Sequence, residues 1–176
     1  SSQEDFTANR DIHLDKNNIV DFYVFLCFIC APDCTQKNTQ FLTWDGVKWY
    51  FMPYDLDTTY GLHYAGTSIA YPPTLNLFDN GLVMSVNRTF WKKVLNAYRA
   101  EINERYKELR DLGVFTVDMV YNLARDLQSK YTAEMFEAEY SKWPNVPSLQ
   151  ITSLDQILNW TKERIEYLDS FFSYTE

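Results

Sequence analysis

A chain of 176 residues that is 46% hydrophobic and 17% aromatic can build a real core and is too apolar to be a disordered segment. Its formal net charge of -8 argues against capture of a nucleic-acid backbone by the domain as a whole, so no nucleic-acid partner is expected. A nucleotide stays open, because a bound divalent cation can reverse the local field.

The opening stretch, "SSQEDFTANRDIHLD", is polar and has no secretory character. A helical pattern starts almost at once with no sheet before it, which suggests a piece of a longer chain. Residues 17–30 read as a helix. Asn17 or Asn18 can cap it, and Pro32 ends it by disfavouring helix at the residue before. Its core, "IVDFYVFLCFIC", carries Asp21 and is shorter than the roughly 18 residues of a membrane span, so it reads as a buried helix. Cys27, Cys30 and Cys34 read as buried, reduced thiols. Their odd count argues against a disulfide framework, and neither His13 nor His63 lies at zinc-ligand spacing from them.

Next come a polar loop, "CTQKN", and two aromatic runs, "TQFLTW" and "KWYFMPY", around Asp45-Gly46. That pattern predicts a β-hairpin, with Pro53 at a strand end. "LHYAGTSIAYPPTLN" follows as a long irregular loop, in which Tyr64 and Tyr71 serve either local packing or a contact surface. From residue 87 the spacing is helical through Phe90, Trp91, Val94, Leu95 and Tyr98 to Ile102, Tyr106 and Leu109. A second helix is predicted over 116–141, capped by Thr116, with Met119, Val120, Leu123, Leu127 and Tyr131 on one face. A third is predicted over 154–172, capped by Ser153. The acidic residues Glu101, Glu104 and Glu108 read as a solvated face. The fold class is therefore α+β, mainly helical: one hairpin plus about four helices, in a single domain over 1–176.

The chemistry sits at both ends of the hairpin. Asp33 and Asn38 precede it; Asp55 and Asp57 follow it. Because a hairpin returns the chain to its start, three carboxylates and an amide should become neighbours. Oxygen donors at that density suit hard cations, Mg2+ or Mn2+. The order also matches kinase-type phosphoryl transfer. There an Asp orients the attacking hydroxyl, an Asn five residues on binds metal, and an Asp past the next hairpin holds the metal between phosphates. Each residue alone has a plainer reading as a turn, cap or solvated acid.

At "GVKWYFMPYDLDTTYG" the chain resembles the CotH kinase family of spore-coat proteins, an atypical branch of the protein-kinase-like fold. "LDQILNWTKERIEYLDSFF" is similar to the family's closing helix, with Trp160, Arg164 and Leu168-Asp169. The resemblance covers about residues 11 to 172. It implies ATP-dependent phosphorylation of protein serine or threonine with Mg2+ or Mn2+. Asp33 would match the catalytic-loop Asp and Asn38 the metal-binding Asn. Asp55 would match the phosphate-metal Asp, and Asp57 the second acid of the family's D-x-D. Gly61 would release the backbone into the following loop. Nothing before residue 17 supplies the glycine-rich, lysine-bearing N-terminal lobe of a kinase. The chain therefore reads as a C-terminal lobe, with Phe6–Leu14 as a linker or helix between lobes and little activity expected without the missing lobe. The resemblance also leaves open a spore-coat, cell-surface or virion setting.

Two other functions compete. One is a non-catalytic structural or surface-binding module of spore-coat or phage-tail type, with a coat or tail protein as partner. The other is a metal-dependent nucleotide-sugar transferase using Asp-x-Asp. That class places the motif after an α/β unit of about a hundred residues, which is missing upstream of Asp55.

Overall fold

The computed structural model describes residues 1–63, 71–144 and 154–175. Two helices come first, α1 (Gln3–His13) and α2 (Lys16–Ile29), then a short 3-10 turn (Pro32–Thr35). The antiparallel strands β1 (Thr39–Leu42) and β2 (Tyr50–Pro53) follow. The remaining helices are α3 (Ser85–Ala97), α4 (Arg99–Asp111), α5 (Val117–Gln128), α6 (Ala133–Lys142) and α7 (Asp155–Phe171). The fold is mainly helical α+β with one two-stranded hairpin.

The first helix, α1, is set by a capping box: Ser2 Oγ accepts from the Asp5 amide, and the Asp5 carboxylate accepts from the Ser2 amide. α2 is mostly core: nine of the eleven residues from Ile19 to Ile29 are buried, with Phe25 partly buried and Asp21 alone turned to the surface. Asp15 caps it, in place of the expected Asn17 or Asn18. Asn18 instead reaches the hairpin. Its amide nitrogen donates to the Phe51 carbonyl at 3.0 Å, and its oxygen accepts from the Phe51 amide at 2.7 Å. One side chain thus completes the outer hydrogen bonds of β2 that no third strand supplies. Cys30 ends α2 in a left-handed conformation, and Pro32 opens the 3-10 turn.

Strand register pairs Thr39 with Pro53 and Phe41 with Phe51. Asp45-Gly46 lies within a longer connection, 43–49, and does not form a two-residue turn. The Asp45 carboxylate accepts from the Val47 and Lys48 amides, which organises that loop from inside. The Trp49 amide then donates to the His13 carbonyl at 2.8 Å, pinning the loop to the end of α1.

The helix count exceeds the expected four because α1 precedes the predicted set and two predicted helices each divide. The run from residue 87 bends at Tyr98, which leaves helical geometry at φ -119°, ψ 20°. Tyr98 is fully buried, donates to Asp11 at 3.0 Å and lies under the Arg10 guanidinium, 4.4 Å from the ring centre. The bend lets α3 pack on α1 while α4 packs on α2. The second run breaks at 129–132, where Thr132 caps a new helix by accepting from the Met135 amide. Thr116 caps α5 as expected, but of its predicted apolar face only Val120 is buried; Leu123, Leu127 and Tyr131 are exposed. Ser153 lies outside the described residues, as does Tyr64. Glu104 and Glu108 are exposed, as a solvated face requires, and the face also carries ion pairs: Glu101 with Arg10 at 3.0 Å and Glu108 with Arg105 at 2.7 Å, Arg105 also pairing with Asp21 on α2.

One aromatic cluster joins these layers. The Trp91 ring centre lies 5.7 Å from Phe22, 4.6 Å from Phe78, 5.0 Å from Phe90 and 5.9 Å from Phe51. Its indole N–H donates to the Thr35 carbonyl at 2.8 Å. All three cysteines are buried and free, and burial pushes the Cys27 thiol up to about 12. Trp91→Phe should cost about 2–4 kcal/mol, because it opens a cavity and removes the shorter of the two hydrogen bonds to the Thr35 carbonyl, leaving only the one from Asn87 Nδ2 at 3.2 Å. Urea unfolding should show the lower midpoint with an unchanged slope.

Candidate active site

The 3-10 turn starts where helix α2 must stop, so Asp33 follows directly from Pro32 at the end of the buried helix. The Asp33 carbonyl accepts from the amides of Gln36, Lys37 and Asn38, which curls residues 33–38 into a tight loop. Trp91 on one side and Thr39, whose hydroxyl donates to the Cys34 carbonyl, on the other fix that loop to the core and to β1.

The hairpin then returns the chain to the loop. The Tyr54 amide donates to the Asn38 carbonyl at 2.9 Å, and the Tyr54 carbonyl accepts from the Cys34 thiol at 3.4 Å. Asp33 and Asp55 therefore sit one residue away from a bonded pair, on the two arms of one junction. Asp55 takes a left-handed conformation, φ 57°, and so does Tyr60, φ 52°. Such backbone is uncommon for residues other than glycine and is often found where a site holds it.

Electrostatics show the same grouping. The Asp57 carboxyl is raised above the usual range by partial burial first, then by the negative charge of Asp55, with a further contribution from Asp33. The Cys34 thiol is raised by burial and, despite its bond to Tyr54, also by Asp33 and Asp55. Asp33 has a counter-ion that the sequence reading missed: Lys37 Nζ lies 3.0 Å from its carboxylate. The i, i+4 spacing of Asp33 and Lys37 was the available signal. Among the described residues, no group of three or more His, Cys, Asp and Glu side chains is arranged to hold a metal ion. Mg2+ characteristically takes one or two carboxylates and completes its shell with phosphate oxygens and water, and a carboxylate and an amide oxygen such as those of Asp55 and Asn38 are hard donors of that kind.

Gly61 has a different role from the expected release point. At φ 85° it takes a conformation that side chains disfavour, and a Cβ there would come within 2.5 Å of Trp160 Nε1. The Trp160 indole donates to the Tyr71 carbonyl at 2.9 Å, and the Tyr71 amide donates to the Gly61 carbonyl at 3.1 Å. Gly61 is thus the seat of α7, not a hinge. One turn further along α7, the fully buried Arg164 donates to the carbonyls of Cys27 at 2.8 Å and of Pro73 and Leu75, each at 2.7 Å. It fastens the last turn of α2 and the segment after the acidic loop to one side chain.

The hairpin sits on a helical base, with one acidic segment before β1 and another after β2. Residues 1–168 match the family described as CotH kinase protein, and the chain belongs to that family, with a kinase-like character at the family level. No curated protein and no solved structure matches it. No helix among the described residues is long and apolar enough to cross a membrane.

The raised Asp57 carboxyl gives a test of the acidic grouping. The folded chain binds that proton more tightly than the unfolded chain, so the ionised form costs stability. The penalty is complete above the raised value and vanishes below the ordinary 3.8. Asp57→Asn should therefore raise the melting temperature at pH 7 without added metal, and the gain should disappear below about pH 3.5.

Proposed function

We propose that this chain is the phosphate-handling C-terminal lobe of an ATP-dependent phosphotransferase acting on protein serine or threonine. In this reading Asp33 accepts the proton of the attacking hydroxyl as its oxygen bonds to the γ-phosphorus. The bond from that phosphorus to the β,γ-bridging oxygen breaks, and ADP leaves. Asn38 and Asp55 would hold Mg2+ or Mn2+, with Asp57 beside them as a further acid. When bound, the ion neutralises charge on the β- and γ-phosphates. Lys37 holds the Asp33 carboxylate in place and puts a positive charge beside the transferred group. The observation that carries the reading is the pair of backbone hydrogen bonds of Tyr54, donated to the Asn38 carbonyl and accepted from the Cys34 thiol, which ties the two acidic arms together.

The isolated lobe should bind weakly, because the phosphate cover of a kinase belongs to its other lobe. For a dissociation constant of about 1 mM, about 10 mM Mn2+ with ATP stabilises by about 1.4 kcal/mol, or roughly 3–5 °C for a chain of this size. Asp55→Asn should abolish that shift. A folded chain that shows no shift, or an equal shift in Asp55→Asn, would overturn the reading.

The exposed hairpin rings favour a second reading, a non-catalytic module that binds a coat or tail protein. Trp44 is 79% exposed, and Phe41 and Tyr54 are each 57% exposed. It predicts partner binding that survives Asp33→Ala and Asp55→Ala unchanged.

A further inference from the structure

A separate cavity of about 280 Å3 lies between α2, α3, the start of α4, the end of α7 and the segment Asn76–Asp79. Its floor is aromatic. The rings of Tyr23 and Phe78 stack at 4.3 Å, and those of Phe78 and Trp91 meet at 4.6 Å. Its polar groups are Arg99, Lys92, Asp79, Asn76, Asn96 and the Tyr23 hydroxyl. Arg99 lines the cavity and is in no ion pair among the described residues. Its guanidinium rests over the Phe171 ring, 5.5 Å from the centre. Lys92 at the rim is matched by Asp79 at 3.0 Å. Of the three charges, one positive charge is left over, on a protein whose net charge is -8.

Tyr23 supplies the second observation. The residue is 1% exposed, lines the cavity, and its hydroxyl has no hydrogen-bond partner among the described residues. A phenol buried to that degree ordinarily finds a partner. Burial raises its ionisation well above the ordinary value, so it is an O–H donor at any working pH.

We propose that this cavity binds a single carboxylate carried on an apolar body, held by the Arg99 guanidinium and the Tyr23 hydroxyl over the Phe78 and Trp91 rings. A net charge of one favours a monoanion over a dianionic phosphate. The aromatic floor needs an apolar surface to cover it. The carboxylate comes either from a free organic acid or from an acidic side chain next to an apolar residue in a protein. The proposal does not depend on phosphoryl transfer, although Trp91 links the cavity floor to the Thr35 carbonyl beside the acidic loop.

The test is titration of the isotope-labelled chain with phenylacetate, followed at the Trp91 indole N–H by NMR. Phenylacetamide serves as the neutral control, and a blocked Phe-Glu dipeptide as the side-chain form. Phenylacetate should bind saturably and Arg99→Gln should weaken it about tenfold or more, as loss of a charge-assisted contact does. Tyr23→Phe should weaken it about threefold to tenfold. The amide should not bind. Tighter binding of the dipeptide would identify a protein source, and tighter binding of phenylacetate a free acid; both support the site. No saturation by about 20 mM, equal binding of the amide, or an unchanged affinity in the exposed Arg99→Gln variant would overturn the proposal.

Discussion

The contact on which the rest depends is the Trp91 indole N–H donating to the carbonyl of Thr35 inside an aromatic cluster. A 3-10 turn leaves its carbonyls without the partners that a longer helix would supply. The hairpin ties the far end of the loop through Tyr54, and Trp91 ties its middle to the core. Trp91 gives Thr35 a donor and buries its own ring against Phe22, Phe51, Phe78 and Phe90, so the acidic loop, the hairpin and α3 are held by the same packing. The burial is large and non-directional, while the directional bonds, from Trp91 and Asn87 to Thr35 and from Gln36 to Leu82, fix where the loop sits on this side.

The closing helix performs the complementary task from the other side. Trp160 rests on Gly61, Arg164 binds carbonyls from α2 and from the segment after the acidic loop, and Asp169 receives the Arg110 guanidinium at 2.9 and 3.1 Å. The three residues lie along one helix at spacings of four and five. Residues that look like separate marks in the sequence, a glycine after two acids and a Trp-Arg pair a hundred positions later, are two halves of one joint. Among the described residues Arg164 is buried with no carboxylate partner; three backbone carbonyls, including one in the last turn of α2, accept from its Nε and Nη1.

Much of the fold could be read from apolar spacing. The mostly apolar run of α2, the paired aromatic strands and the repeat through Trp91 and Tyr106 depend only on which positions are hydrophobic. What escaped the reading depended on tertiary partners. The bend at Tyr98 is made by Arg10 and Asp11, nearly ninety residues upstream, and no local signal announces it. The exposed face of α5 has the pattern of a buried one, because periodicity reports amphipathicity and not whether a neighbour is present. Thr132 was legible in principle, as a capping residue ahead of an apolar run. At the site, the hairpin argument expected residues 33–38 to meet residues 55–57, and the bonds of the adjoining Tyr54 to Asn38 and Cys34 bring the two backbones together. It did not anticipate Lys37 pairing with Asp33, nor the seating role of Gly61, which depends on a ring from α7.

The account of function rests on the two acidic arms forming one cation-binding place around Asn38 and Asp55. Paramagnetic broadening by substoichiometric Mn2+ in an amide NMR spectrum tests this most directly. The account predicts that the amides of Asp33, Asn38 and Tyr54 to Asp57 broaden first and that those of α5 and α6 stay sharp. Broadening centred instead on the acidic surface around Glu101, Glu104 and Glu108, with the hairpin junction untouched, would contradict it.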